Sequence, residues 1–404
     1  MSGAAQPAPI PIYPALTGLR FFAAAAIVAW HSQTGYFLPP NAFHPFLLDG
    51  GVQLFFVLSG FVLTVNAPKY RRRADFLVAR LARVWPGHMA AILFLFWIFW
   101  PYSISLLHGT VLQARLVACV LLVQAWSPVR ATYWALNAPS WSISVELAFY
   151  VAFPFLLSWL IRRPVGGMVV LLGGALGFIL VVATVWPGVD KLWLGYINPV
   201  VNAPDFALGI VAALWLRRAG PAGGGFARHS AIQLGALAIA IGGNALFGAL
   251  ATPGVSHILH EASWPAGLAD YIQVAGAVPG YTLLIVVLAR NSGVVSRALS
   301  GRAIVYLGEV SYTLYLFHQI MLRWHSGYPG WHSGWQARVA AWPMGAQYAL
   351  LMAATLALVC AVHHLIEQPA RRRINALWRR CGAAPVDPGA PEAIVTGITQ
   401  GDPP

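Results

Sequence analysis

Ten stretches of this 404-residue chain are apolar almost throughout: 17–37, 50–66, 87–106, 142–161, 166–186, 200–216, 231–250, 268–289, 303–324 and 346–367. About 20 such residues in a helix cross the hydrocarbon core of a bilayer, and in lipid the helix satisfies every backbone polar group within its own segment. The pattern therefore predicts an all-α fold, a polytopic integral membrane bundle of about ten transmembrane helices. Composition agrees, with 58% hydrophobic residues, 9% charged residues and a mean hydropathy of +0.66, which excludes an ordinary soluble domain.

The net charge of +13 does not point to nucleic acid, because the basic residues cluster beside apolar segments, as orientation signals do. With ten spans and a cytosolic N-terminus, 20 of the 25 Lys and Arg residues fall on the inner side. They include Arg71 to Arg73, Arg162, Arg163, Arg217, Arg218 and Arg371 to Arg373. The apolar segment 111–126 is short and holds Arg115, so it is expected to be re-entrant or to lie on the outer surface. If it spanned, every later basic loop would face outward. Trp126, Trp134, Trp186, Trp193, Trp264, Trp331 and Trp335 then fall in outer loops, where interfacial aromatics belong. The expected organisation is an N-terminal cytosolic segment 1–16, a transmembrane domain 17–373 and a disordered cytosolic tail 374–404. The Pro-rich start lacks the basic region of a cleaved signal peptide. Cys119, Cys360 and Cys381 show neither disulfide nor metal spacing, and His363 with His364 is too isolated a pair for a metal site.

Ionisable residues inside spans carry the functional signal, since burying them in lipid is costly. The first span holds Arg20 and His31. Eleven steps at 100° close to about 20° past three turns, so the two share one helix face, about 16 Å apart along the axis. Taken singly, Arg20 reads equally as a boundary residue snorkelling to headgroups, and His31 as an interhelical hydrogen bonder. Ser59-Gly60 in the second span permits close helix packing or a functional contact. Arg80 and Arg83, on one face just before the third span, are either a topology signal or a phosphate site with bidentate guanidinium geometry. Glu146, in the outer part of the fourth span, needs partners or water. In the ninth span Tyr312, Tyr315 and His318 form a polar stripe.

Six stretches in order resemble the membrane-bound acyltransferase 3 family of polytopic O-acyltransferases: Arg20-x10-His31, the run from Gly51 to Phe61, Arg80-x-x-Arg83, Trp141 to Glu146, Ser311 to His318, and Ile366 to Pro369. The resemblance spans Leu16 to Arg373. It implies transfer of an acyl group, often acetyl, from cytosolic acyl-CoA as co-substrate to a hydroxyl of a cell-envelope saccharide, a lipid-linked glycan or a similar acceptor. It also implies a cytoplasmic (inner) membrane location of bacterial type, with both termini cytosolic. Arg20 and His31 carry over as the essential pair, and Arg80 and Arg83 as the Arg-x-x-Arg. Some members append an extracytoplasmic hydrolase-like domain; none is read here, so the membrane domain is expected to acylate the acceptor itself.

In that reading His31 is the general base, while Arg80, Arg83 and Arg20 hold the CoA phosphates. Glu146 orients His31 or holds acceptor hydroxyls. His318 and the adjacent tyrosines donate to the oxyanion or line the outer approach. Trp141, Ser144, Tyr312 and Tyr315 are the expected acceptor-binding residues, and Glu367, near Arg371 and Arg372, is expected to be structural. The rival class is a proton-coupled or lipid-linked-sugar transporter, whose inverted repeats and broken helices have no counterpart in this sequence.

The charge bias makes a direct topological prediction. A cysteine introduced by Gly225→Cys should react with an impermeant maleimide only after permeabilisation; labelling in intact cells overturns the ten-span arrangement.

Overall fold

The computed structural model describes residues 13–33, 37–38, 42–43, 46, 48–70, 72–99, 110–219, 222–249, 265–290, 292–326 and 338–381. The first twelve residues, Arg71, the end of the third apolar run, Trp264, Trp331, Trp335 and the tail beyond 381 lie outside them. Every regular element among the described residues is helical. The helices are α1 (Pro14–Gln33), α2 (Gly51–Asn66), α3 (Arg73–Ile98), α4 (Thr110–Val120), α5 (Trp141–Arg162), α6 (Pro164–Val185) and α7 (Pro199–Ala219). They continue with α8 (Phe226–Ala249), α9 (Leu268–Ala275), α10 (Val278–Arg290), α11 (Val294–Leu299), α12 (Arg302–Ser326), α13 (Met344–Val362) and α14 (Gln368–Arg380).

Among the described residues, nine helical stretches are long and apolar enough to cross a membrane. The fold is thus a polytopic helical bundle. The ninth apolar run of the sequence, α12, is not one of the nine, although its 25 residues suffice in length. Its polar stripe lowers its hydropathy, and the structure shows why that is tolerated: every residue from Val310 to Leu322 is buried by protein. By contrast α6 exposes Val165, Val169, Leu176, Leu180, Val181 and Val185, as a helix facing lipid does.

Three boundaries differ from the sequence expectation, and the 111–126 stretch does not. Helix α3 starts at Arg73 rather than near 87, so Arg80 and Arg83 ride on the span itself. Pro86 lies inside this helix, and the hydroxyl of Tyr312 on α12 donates to the Val84 carbonyl beside it at 2.6 Å. That bond ties α12 to α3 beside the proline, whose own missing N–H frees the carbonyl of Ala82 four residues earlier. The eighth run is broken between α9 and α10. The last run passes through a π turn, His363–Glu367, into α14, so helix persists to Arg380, beyond the apolar run that ends at 367. The 111–126 stretch forms α4, whose 11 residues are too few to cross.

Backbone contacts at glycine bring the central helices together. A Cβ on Gly60 of α2 would run into the Phe206 carbonyl of α7, and one on Gly209 of α7 into the Val57 carbonyl of α2. A Cβ on Gly308 of α12 would strike the Thr17 carbonyl of α1. Without a hydrophobic driving force between helices in lipid, such close apposition is a main source of association. At the outer surface Arg130 Nε donates to Asp190 at 2.8 Å and Tyr133 Oη at 3.1 Å, tying two loops together. Burial alone would raise the Asp190 carboxyl, but Arg130, the Trp193 N–H and Tyr133 outweigh it and hold the group below the usual carboxylate range.

Gly209→Ala should therefore destabilise the protein by about 1–3 kcal/mol through overpacking. In detergent this reads as a fall in Tm, whereas Gly173→Ala in α6, where a Cβ meets nothing within 4 Å, should leave Tm unchanged.

Candidate active site

Helices α1 and α12 run the same way and meet closely at Thr17 and Gly308, so residues farther along each come level. His31 and His318 are such a pair. His318 Nε2 lies 3.1 Å from His31 Nδ1, with ring centroids 4.9 Å apart. His31 Nδ1 is also 3.0 Å from the Ile27 carbonyl, and His318 Nδ1 is 3.3 Å from the Leu314 carbonyl. A carbonyl only accepts, so each Nδ1 carries the proton in the neutral pair. The His31 Nδ1–H is then shared between Ile27 and His318 Nε2, and the lone pair of His31 resides on Nε2.

Tyr315 is the next layer inward. Its ring lies 5.9 Å from His318 and 6.3 Å from Phe55, and its hydroxyl donates to the Pro139 carbonyl at 2.8 Å and pairs with Ser142 Oγ at 2.7 Å. On its other side lies a narrow, partly open cavity. Arg20, Arg80, Arg83, Glu146 and Tyr150 supply its polar wall; Phe55, Phe56 and Val62 supply much of its apolar wall.

Glu146 Oε1 accepts from Tyr150 Oη at 2.5 Å and from Ser59 Oγ at 3.2 Å. Arg80 Nη2 donates to Tyr70 Oη at 2.6 Å, while the buried Nε atoms of Arg20 and Arg80 have no hydrogen-bond partner. Unpartnered buried donors of this kind are costly unless water or a ligand meets them. Arg20 and Arg83 also line a second, polar cavity of about 1440 Å³ whose far wall is α14. The two cavities share Arg20 and Arg83 in their walls, a wide basic vestibule on one side of these side chains and a narrower, more apolar interior on the other.

The sequence-derived residues fall into three groups. Arg20, Arg80, Arg83, Glu146, Tyr312 and Tyr315 line one cavity. His31 and His318 stand together just past Tyr315, without lining it. Trp141 and Ser144 are buried elsewhere: Trp141 packs on Tyr196, with centroids 4.8 Å apart, and Ser144 Oγ accepts from the Ala125 N–H at 3.2 Å. Helical phase is the reason. Ser142 and Glu146, four apart, face the cavity, and Ser144 points to the opposite side of α5.

The partner of His31 is His318 rather than Glu146, whose near oxygen is occupied by Ser59 and Tyr150. The donors of Tyr312, Tyr315 and His318 point at the carbonyls of Val84, Pro139 and Leu314. Glu367 accepts from Thr313 Oγ1 at 2.6 Å and from His363 Nδ1 at 2.9 Å instead of pairing with Arg371 or Arg372. Three contributors were not singled out from sequence. Tyr150 was detectable as the i+4 neighbour of Glu146, and the arginines of α14 as a single helix face; Ser142 had no comparable signal. Among the described residues no group of three His, Cys, Asp or Glu is placed to hold a metal ion.

A family model described as an acyltransferase domain matches residues 13–364, and the chain belongs to that family, the acyltransferase 3 family; it is an O-acyltransferase. It is 29% identical over 400 residues to "Acyltransferase MdmB" of Streptomyces mycarofaciens, covering 94% of this chain and 96% of that protein. It is 25% identical over 280 residues to "Exopolysaccharide production protein ExoZ" of Rhizobium meliloti, covering 66% of this chain and 74% of that protein. It is also 26% identical over 168 residues to "O-acetyltransferase OatA" of Staphylococcus aureus, covering 37% of this chain and 25% of that protein. No solved structure matches it.

The contribution of the Tyr315 hydroxyl is open to test. Tyr315→Phe removes the bonds to the Pro139 carbonyl and to Ser142, while Ser142 Oγ still reaches that carbonyl at 3.1 Å, so the loss is about 0.5–1.5 kcal/mol. It should appear as a lower Tm in detergent.

Proposed function

We propose that this enzyme moves an acyl group, acetyl in the simplest case, from cytosolic acyl-CoA to a hydroxyl of a cell-envelope saccharide or lipid-linked glycan. The setting is a bacterial cytoplasmic membrane, with both termini in the cytosol. The observation that supports the donor is the adjacent pair of cavities that share Arg20 and Arg83. A CoA thioester has phosphates at one end and a slender arm at the other. The vestibule offers guanidinium groups, and the interior offers a narrower, more apolar passage ending near the histidines. The printed names of ExoZ and OatA, an exopolysaccharide production protein and an O-acetyltransferase, support the saccharide hydroxyl as acceptor.

In this reading Arg20, Arg80 and Arg83 bind the phosphate-bearing end and the arm runs toward Tyr315. The Tyr315 and Phe55 rings stand between cavity and histidines, so they part when the thioester arrives. His31 Nε2 takes the proton of the acceptor hydroxyl as its oxygen bonds to the thioester carbonyl carbon. The imidazolium so formed shares its Nδ1–H with the Ile27 carbonyl and neutral His318. Collapse of the tetrahedral intermediate breaks the carbon–sulfur bond, and the proton passes from His31 to the departing thiolate. The products are the acyl ester and CoA thiol, with no net proton change. His318 is the group that positions His31, and Glu146 is left to hold Ser59, Tyr150 and acceptor hydroxyls.

The test is transfer of labelled acetyl from acetyl-CoA to a cell-envelope glycan fraction by the purified protein. His31→Gln should lower the rate by roughly 10² to 10⁴ while acetyl-CoA binding persists. Arg80→Ala with Arg83→Ala should raise KM for acetyl-CoA and leave the acceptor dependence unchanged. A wild type that moves no label, or a His31→Gln protein within about threefold of it, overturns the respective assignment.

A further inference from the structure

Helix α14 begins at Gln368, beyond residue 364 where the family match stops. Arg371, Arg372, Asn375 and Arg379 fall within about 100° of one another around its axis, so they occupy one face. That face is the wall of the basic vestibule, opposite Arg20 and Arg83. The helix is held at both ends. Trp378 Nε1 donates to Asp75 on α3 at 2.9 Å, and Glu367, just before the helix, accepts from Thr313 on α12 at 2.6 Å. Arg372 Nη2 further donates to Gln368 at 3.3 Å. Five guanidinium groups thus face a space whose carboxylates are Glu309 and the already bonded Glu367. So much anchored positive charge around one open volume calls for an anion of high charge.

Resting on the acyl-CoA reading above, we propose that Arg371, Arg372 and Arg379 form the site for the 3′-phosphorylated adenosine end of CoA. Arg20, Arg80 and Arg83 lie farther in and take the diphosphate, so the two sets divide the donor's charge between them. The 3′-phosphate is absent from 3′-dephospho-CoA and from phosphopantetheine carried on a protein. The enzyme is therefore selective for the nucleotide thioester over carrier-bound acyl groups.

The experiment uses the full chain in phosphatidylcholine nanodiscs, with CoA and 3′-dephospho-CoA titrated by calorimetry. The wild type should bind CoA on the order of tenfold to hundredfold more tightly, as expected for charge-assisted bonds to one phosphate. Arg372→Gln with Arg379→Gln should bring CoA down to the affinity of 3′-dephospho-CoA and leave the latter unchanged. A wild type that binds both ligands within twofold overturns the proposal without any variant, and so does a variant that keeps the full preference. A wild type that binds neither overturns the donor reading itself and this site with it. The same charge would suit an anionic lipid headgroup. The preference should survive replacement of part of the phosphatidylcholine by phosphatidylglycerol; its disappearance assigns the face to lipid and overturns the proposal.

Discussion

The close approach of α1 and α12 is the contact from which the site follows. Gly308 lets the Thr17 carbonyl lie against the α12 backbone, and the two helices run the same way from there. His31 and His318 then meet toward the far ends of both helices, 3.1 Å apart. A side chain at 308 would push the helices apart and separate that pair. The same apposition buries α12 completely from Val310 to Leu322, which lets a helix too polar to face lipid occupy the centre of the bundle. Once inside, its tyrosines spend their hydroxyls on neighbouring carbonyls, Tyr312 on Val84 and Tyr315 on Pro139.

Charge inside the bundle sets the second constraint. A guanidinium on a lipid-facing surface is expensive, and Arg20, Arg80 and Arg83 avoid that cost by facing a shared cavity, with Arg20 and Arg83 also bordering the vestibule. Their counter-charge within that cavity is the single carboxylate of Glu146, which is itself hydrogen-bonded to Tyr150 and Ser59. The excess positive charge is thus a standing property of the cavity, and in the proposed function it is what suits a phosphate-bearing donor. The glycines of α2 and α7 contribute indirectly: by drawing these helices together they place Ser59 and Phe55 on the cavity wall.

The histidine pair differs from the familiar arrangement in which a carboxylate orients a catalytic imidazole. Here the second imidazole and a backbone carbonyl receive the Nδ1–H, and the carboxylate lies in the cavity below. Two neutral acceptors hold the tautomer without introducing a buried negative charge. In the proposed reaction this leaves Glu146 available to the substrates.

The sequence by itself determined the helical membrane architecture, because runs of about 20 apolar residues have no other stable form in lipid. It also determined which polar residues were worth attention, since Arg20, His31, Glu146 and His318 stand out against an apolar background, and six ordered motifs identified the family. Phase along one helix correctly put Arg20 and His31 on a common face. What only the tertiary structure decided was which of these groups touch. The pairing of His31 with His318, the removal of Trp141 and Ser144 from the cavity and the turn of α14 toward Arg83 all depend on how helices rotate and cross. Those rotations are fixed by backbone-level contacts at Gly60, Gly209 and Gly308. A hydropathy pattern records that a residue is apolar or small; it does not record which neighbour's carbonyl will lie against it.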